Sequence, residues 1–377
     1  MGSVLPEQLE LWRACNDGNS LITIIGTDRN VYGTKWPWEP RKPLDLETVL
    51  LQPYTPRFLD RGQVWWFYRG LGAALRRARP DIVHVVSEPW GGLVVQTLVA
   101  RRLYHSSARV CVHGTDNIYW HGSQVERLIR RLILKKVMPR LDGFVSWSRE
   151  GVEVAEGAGL HGVPTAVVPA IVPNPEQFFP PSSQSQKDLR SKLGIPLEGP
   201  IVGFVGRLAP EKGIGDLILA FRNMGNPAPF LAIWGNGPLA SSMELRLKEE
   251  ELQGRFFGPL GLREVRNAYQ ACDVIAVPSR TTGSWKEQFG RVVVEAMLAG
   301  SAIVAYRSGA IPEVVGDEAV LVEEADIVGL SNAIRLLADD REFRERLGAR
   351  GRARALEQFH PRVLAARLMR FWDEVLQ

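Results

Sequence analysis

Two glutamates with seven residues between them, Glu287 and Glu295, frame the most chemically suggestive stretch of this sequence, WKEQFGRVVVEAMLAG at 285–300. An ionised carboxylate accepts paired hydrogen bonds, which suits the vicinal hydroxyls of a ribose or hexose. Phe289-Gly290 lies between them, and Gly290 lets backbone approach a ligand closely. The run from Arg291 and Val292 has helical character, offers N–H groups to phosphate at its start and stops at Gly300. Glu287 is thereby placed in a loop after a Val274–Ser279 strand, and Glu295 about two turns into the helix. Two glutamates at this spacing also arise by chance, and Glu295 could be an ordinary solvated helix residue. A second cluster is Arg207 and Lys212, which flank a turn between a strand end and a helix beginning near Gly213. Two cations beside helix N–H groups make a diphosphate site; the plain alternative is a pair of exposed surface cations. His113 follows another strand and is open to either a buried, hydrogen-bonded role or a functional one. In Ser87-Glu88-Pro89 and Gly114-Thr115-Asp116, Glu88 and Asp116 also follow strands, and Glu88 is equally readable as a solvated loop acid.

Strand ends and helix starts must hold these groups, and the chain supplies them. Short apolar runs alternate with helical patterns along almost the whole length, as in parallel sheets covered by helices. The strand candidates are 21–26, 82–86, 109–112, 143–147 and 166–168, then 201–205, 230–234, 274–277, 302–306 and 319–322. Each set makes one doubly wound domain. A stretch rich in Pro, Ser and Gln separates them. The expected division is an N-terminal domain at 1–175, a linker at 176–199, a second domain at 200–360 and a terminal helix at 361–377 packing back on the first domain. Pro6–Cys15 already has the pattern of a first helix, with Leu9, Leu11 and Trp12 apolar and no strand before it. The first sheet is therefore expected to be one strand short, or the start incomplete, with Met1-Gly2-Ser3 the stub of a glycine turn.

Composition bounds the rest. A chain of 377 residues, 45% hydrophobic and 23% charged, suits two globular cores. Residues 1–175 carry 21 basic against 16 acidic residues and the remainder 25 against 26, so the net charge of +4 resides in the first half. That is too mild for nucleic acid, and no aromatic-interleaved basic stripe is present. It leaves room for an acidic acceptor or an anionic membrane surface. No apolar run is long enough to span a bilayer, no signal-peptide pattern occurs, and Cys15, Cys111 and Cys272 have no metal-ligand spacing. A cytoplasmic location is expected. No Asp-x-Asp pair offers itself to a divalent metal.

The 285–300 string resembles the Glu-x7-Glu motif of the retaining GT-B glycosyltransferases, family 4 (group 1) in particular. Gly203–Gly213 (GFVGRLAPEKG) resembles that family's donor loop, Gly235-Asn236-Gly237-Pro238 its G-x-G-P turn, and Ser308–Val315 (SGAIPEVV) its glycine-rich loop and helix; Asn174–Pro180 resembles the segment entering its linker. The resemblance covers nearly the whole chain and is densest at 201–325. It implies an α/β fold of two doubly wound, Rossmann-like parallel-sheet domains facing across a cleft. It also implies transfer of a sugar, with retention, from a nucleotide-diphosphate sugar to a glycan or glycolipid hydroxyl, with no metal or cofactor. Carried over residue by residue, the donor would meet Gly206, Arg207, Lys212, Gly235, Gly237, Glu287, Phe289, Gly290, Arg291, Val292 and Glu295. The catalytic groups would be His113, Arg207, Lys212 and Glu287. Arg207 and Lys212 would stabilise the departing diphosphate, and His113 would face the donor sugar. Gly2, Glu88 and Asp116 fall on the acceptor side. The absent first strand, Ala170-Ile171 in place of an Asn-Gly turn and Arg291 in place of an apolar residue depart from the pattern. A nucleotide-sugar epimerase of similar fold, or an inactive nucleotide-sugar-binding module, are the rival readings.

Ser123–Arg140 carries Leu128, Ile129, Leu132, Ile133 and Val137 at helical spacing, interleaved with Arg127, Arg130, Arg131, Lys135, Lys136 and Arg140. Such a helix can lie on an anionic membrane. The favoured reading is a domain helix with its apolar face on the sheet; exposed Trp65-Trp66-Phe67 would turn the balance towards lipid. The expected partners are thus the donor and a glycan or lipid-linked acceptor, with peripheral contact at the inner face of an anionic membrane left open and no nucleic acid.

Overall fold

The computed structural model describes residues 6–16, 21–26, 46–54, 66–104, 107–118, 122–170, 173–225, 227–261 and 264–377. The expectations placed on Met1, Gly2, Ser3, Trp65 and Ile171 lie outside these. The chain forms two compact units, Met1–Val172 with Pro361–Gln377, and Pro173–His360.

The first unit runs α1 (Pro6–Cys15), β1 (Thr23–Gly26), β2 (Glu47–Leu50), β3 (Pro53–Tyr54), β4 (Phe67–Tyr68), α2 (Leu71–Ala78), β5 (Ile82–Val86), α3 (Gly92–Leu103), β6 (Arg109–Gly114), α4 (Gln124–Val137), β7 (Gly143–Ser146), α5 (Arg149–Gly157) and β8 (Thr165–Val167). Strands β5-β6-β7-β8 form a parallel sheet in that order, β1 and β2 a parallel pair, and β3 and β4 an antiparallel pair. Val85, Val110, Val112 and Phe144 from the sheet pack with Leu93, Val94, Leu134, Val137 and Ala155 from the helices. Trp66, at 6% exposure, belongs to that core with its ring edge-on to Tyr68, and Phe67 is half-buried. Neither is the exposed aromatic that would have signalled lipid.

The second unit runs α6 (Ser183–Leu193), β9 (Ile201–Val205), α7 (Ile214–Met224), β10 (Phe230–Trp234), α8 (Ala240–Glu249), β11 (Gly254–Gly258), α9 (Val265–Ala271), β12 (Val274–Val277), α10 (Arg291–Leu298), β13 (Ala302–Tyr306), α11 (Ile311–Val315), β14 (Val320–Val322), α12 (Ile327–Asp339) and α13 (Arg341–Phe359). All its strands are parallel, in the order β11-β10-β9-β12-β13-β14. Counted within the unit this is 3-2-1-4-5-6, a doubly wound sheet whose order reverses between β9 and β12. Covered on both faces, its central strands are near-continuously apolar, with β12 (VIAV) and β13 (AIVAY) buried throughout.

The stretch expected as linker belongs to the second unit. Ser182 caps α6 by accepting from the Ser185 N–H, and Gly194 ends it in the left-handed region. The buried Arg190 donates to the Ala271 carbonyl at 2.9 Å and pairs with Asp273 at 2.7 Å, tying α6 to the start of β12. After the second unit the chain re-enters the first as α14 (Pro361–Leu376), which packs along α1.

Candidate functional site

In an open parallel sheet, ligands bind outside the carboxyl ends of the strands where the order reverses. In the second unit that point lies beyond β9 and β12, and the sequence-selected groups gather there. Arg207 follows β9, a 3-10 turn spans Pro210–Lys212, and Gly213 opens α7 at φ 68. A Cβ at Gly213 would collide with the Pro278 carbonyl, so glycine lets the post-β9 turn sit directly on the post-β12 loop. Across that join the Lys212 Nζ meets Glu287 Oε2 at 2.8 Å and lies 4.3 Å from the centre of the Trp285 ring. The Ser279 hydroxyl donates to the same carboxylate oxygen at 3.1 Å. Arg207, largely exposed, pairs with Glu211. Gly206 donates to the Trp234 carbonyl and Leu208 to the Asn236 carbonyl, which seats the donor-type loop on the Gly235-Asn236-Gly237 turn.

Glu295 is the fifth residue of α10, little more than one turn in, not two. It is also not a solvated helix residue: it is 6% exposed, accepts from the Tyr269 hydroxyl at 2.6 Å and pairs with Arg291 Nε at 3.1 Å. Burial, then the Glu295 charge, hold the Tyr269 phenol well above its ordinary pKa, so it remains a donor. Arg291, the departure from the apolar pattern, is therefore the cation of this carboxylate. Phe289 is buried and packs edge-on to Phe359, Gly290 caps α10 at φ 80, and Val292 lies in its first turn. The 280–287 loop is anchored on both sides: Arg280 pairs with Asp216, which also accepts from the Tyr306 hydroxyl, and Thr281 donates to Glu324 from its N–H and its hydroxyl. Ser279, Trp285, Tyr269 and Glu324 were not among the candidate site residues of the sequence; the partners of the last three lie on other elements.

The carboxyl ends of the first unit's sheet hold His113, Glu88 and Asp116. The Trp372 indole N–H donates to His84 Nδ1 at 3.1 Å, His84 Nε2 lies 3.1 Å from His113 Nδ1, and His113 Nε2 lies 2.6 Å from the Val168 carbonyl. An indole can only donate and a carbonyl can only accept, so both rings are neutral and carry their proton on Nε2. Burial, reinforced for His84 by its neighbour, pushes both histidines down, His113 to about 4. His113 is fully buried, and contact with a donor would require it to give up one of these bonds. Glu88 Oε1 accepts from the Thr115 N–H and hydroxyl and from the Asp116 N–H, while its buried Oε2 has no hydrogen-bond partner among the described residues. Burial, then the Asp116 charge, raise the Glu88 carboxyl far above the usual carboxylate range. Glu88 is thus no solvated loop acid. Gly2 lies outside the described residues.

Cations and carboxylates thus gather at the switch point of a doubly wound sheet, where ligands bind in open α/β folds. The model of the family described as Glycosyl transferases group 1 matches residues 185–354, and that of the glycosyl transferase 4-like domain matches residues 20–170. The second unit thus carries the group 1 glycosyl transferase domain, and the first unit the glycosyl transferase 4-like domain. A 2-deoxystreptamine glucosyltransferase of Streptomyces kanamyceticus is 29% identical over 84% of this chain and 86% of its own length. A D-inositol 3-phosphate glycosyltransferase of Corynebacterium urealyticum is 32% identical over 60% of this chain and 55% of its own; the chain spans about half the length of relatives of that name. Among solved structures, Anabaena HepE in complex with UDP superposes with a TM-score of 0.74 at 18% identity, covering 99% of this chain and 97% of that one. Sucrose-phosphate synthase from Thermosynechococcus elongatus gives 0.70 at 21% identity, with 97% and 92% covered. These likenesses show the fold, which is of the GT-B class.

Proposed function

We propose that the chain is a retaining glycosyltransferase that moves a sugar from a nucleotide-diphosphate sugar to a hydroxyl of a glycan or lipid-linked acceptor, without a metal. The observation that carries this reading is the Arg207, Lys212 and Glu287 cluster at the switch point. An ammonium has three donors. Glu287 and Trp285 fix the position of the Lys212 group, so it is preorganised for charge that develops as the bond from the anomeric carbon to the β-phosphate oxygen breaks. Arg207 adds a second cation. The acceptor hydroxyl attacks on the face the diphosphate leaves, and its proton passes to a phosphate oxygen. Glu295 holds the ribose hydroxyls, with the α10 N-terminus toward phosphate. Glu88 and Asp116 serve the acceptor, which the names of the relatives suggest is a polyol or lipid: inositol 3-phosphate, 2-deoxystreptamine, and a monoacylated phosphatidylinositol monomannoside in a GDP-mannose-dependent mannosyltransferase of Corynebacterium glutamicum. A cytoplasmic enzyme working at the inner face of a membrane fits a lipid-linked acceptor.

The test is incubation of the chain with a panel of nucleotide-sugars and polyol or lipid acceptors, with product configuration read by NMR. A product of retained configuration supports the proposal, and an inverted one contradicts its mechanism. Free nucleotide with an epimerised sugar and no acceptor product marks an epimerase; binding without turnover marks a binding module. Activity should persist in excess chelator, because the protein supplies the cations; loss restored by magnesium or manganese contradicts that.

A further inference from the structure

We propose that the outward face of α4 is a docking surface for an anionic lipid bilayer. This rests on the reading of a lipid-linked acceptor. The sequence favoured a helix with its apolar residues on the sheet, and the structure divides those residues between two faces. Leu134 and Val137 are buried, and Ile133 packs with them on the core of the first unit. Val125, Leu128, Ile129 and Leu132 are exposed by 66%, 58%, 45% and 55%. At roughly 100° per residue these four fall in one band centred about 160° from Leu134 and Val137. A helix seated on a core needs one apolar stripe. The second stripe is a contiguous aliphatic patch in water, the kind of surface that marks a binding partner.

Charge identifies that partner. Arg131 and Lys135 border the stripe on one side and Lys136 stands at its C-terminal end, all exposed. Their long stems can lie along apolar surface while the charges reach outward. Arg130 is turned to the Trp90 ring, 5.0 Å from its centroid, and is not part of the face. The acid of the helix, Glu126, is committed to the capping box with Ser123. A second copy docking through the same face would bring these cations against their own equivalents, which like-charge repulsion opposes. An anionic bilayer satisfies both halves of the pattern: acyl chains take the stripe and headgroups take the flanking cations, with the helix in the interface. Among the described residues no helix is long and apolar enough to cross a membrane.

The experiment is co-sedimentation of the full chain with vesicles of phosphatidylcholine alone and of phosphatidylcholine with phosphatidylglycerol. The Leu128→Gln/Leu132→Gln and Lys135→Gln/Lys136→Gln double variants are compared with the parent. All four positions are exposed, so each variant should keep the parent circular dichroism. The parent should bind the anionic vesicles and not the neutral ones. The lysine variant should lose about 25-fold, near fivefold per charge, and the leucine variant on the order of tenfold or more. Equal binding to both vesicles, no binding, or parent-like binding by both variants overturns the proposal. So does a concentration-dependent dimer that the leucine variant abolishes. Binding of nucleoside diphosphates, measured without vesicles, separates the two readings: its failure beside intact vesicle binding removes the enzyme reading alone, and the reverse removes this surface alone.

Discussion

Glu295 is held by partners that sequence spacing does not reveal. Its type and position relative to Glu287 were legible, because a carboxylate near a helix start after a strand is a recognisable acceptor; the Tyr269 hydroxyl that completes it comes from a different helix. Glu295→Ala leaves that hydroxyl without its acceptor in the core, so it should lower stability by about 1–3 kcal/mol. The same change should weaken nucleoside diphosphate binding by about 1.5–3 kcal/mol if the carboxylate also holds ribose. Glu295→Gln keeps an acceptor for Tyr269 and should recover stability more than affinity. Denaturant titration and calorimetry together decide it, and full nucleotide affinity in the alanine variant confines Glu295 to a structural role. Glu88 offers a separate test. Its folded pKa lies above its unfolded value, so ionisation in the unfolded chain draws stability down as pH rises from the ordinary carboxylate range through the folded pKa. Glu88→Gln mimics the protonated form and should flatten that alkaline decline, as thermal melts across pH would show; an unchanged decline assigns it to another group.

At the level of elements, the buried strands of the second unit were legible because both faces are covered and the sequence there is a short continuous apolar run. The short β2 and β11 were not, since neither ETVL nor GRFFG has a clear two-residue alternation. Helix α6 was hidden by its Ser and Gln content, although Ser182 and Gly194 mark its ends; what makes it part of the unit is buried Arg190, a residue type that sequence places at the surface. The periodicity of α4 was plain, whereas which apolar residues faced the core was decided only by packing. The contact between the β9 and β12 loops depends on Gly213. Gly213→Ala puts a Cβ into the Pro278 carbonyl in a left-handed conformation, and should cost more than about 1 kcal/mol from the backbone alone. It should also displace Lys212, so nucleotide affinity should fall further than stability loss at the assay temperature explains. A variant with the parent melting temperature contradicts the described join.

At the scale of the whole chain, its last helix, α14, returns to the first unit and brings Trp372 to His84. The residue types were visible, but a pairing across most of the chain leaves no local pattern. Because the His113 pKa falls from 6.5 to about 4 on folding, the unfolded chain binds more protons across that interval. Stability should therefore decline as pH drops from 6.5 towards 4, by about 3 kcal/mol for this group alone, and level off below. Trp372→Phe leaves His84 Nδ1 without its donor and should destabilise by about 1–3 kcal/mol; parent stability in this variant would remove the chain of hydrogen bonds from the account. The central claim is that the β9 and β12 switch point holds the diphosphate of a nucleotide-sugar. Calorimetric titration of the full chain with a panel of nucleoside diphosphates, repeated on folded Lys212→Ala and Arg207→Ala, tests it most directly. At least one nucleotide should bind, and each variant should weaken it by about 1.5–3 kcal/mol, with the double variant less than additive. No binding by any nucleotide, or parent affinity in both single variants, contradicts the assignment.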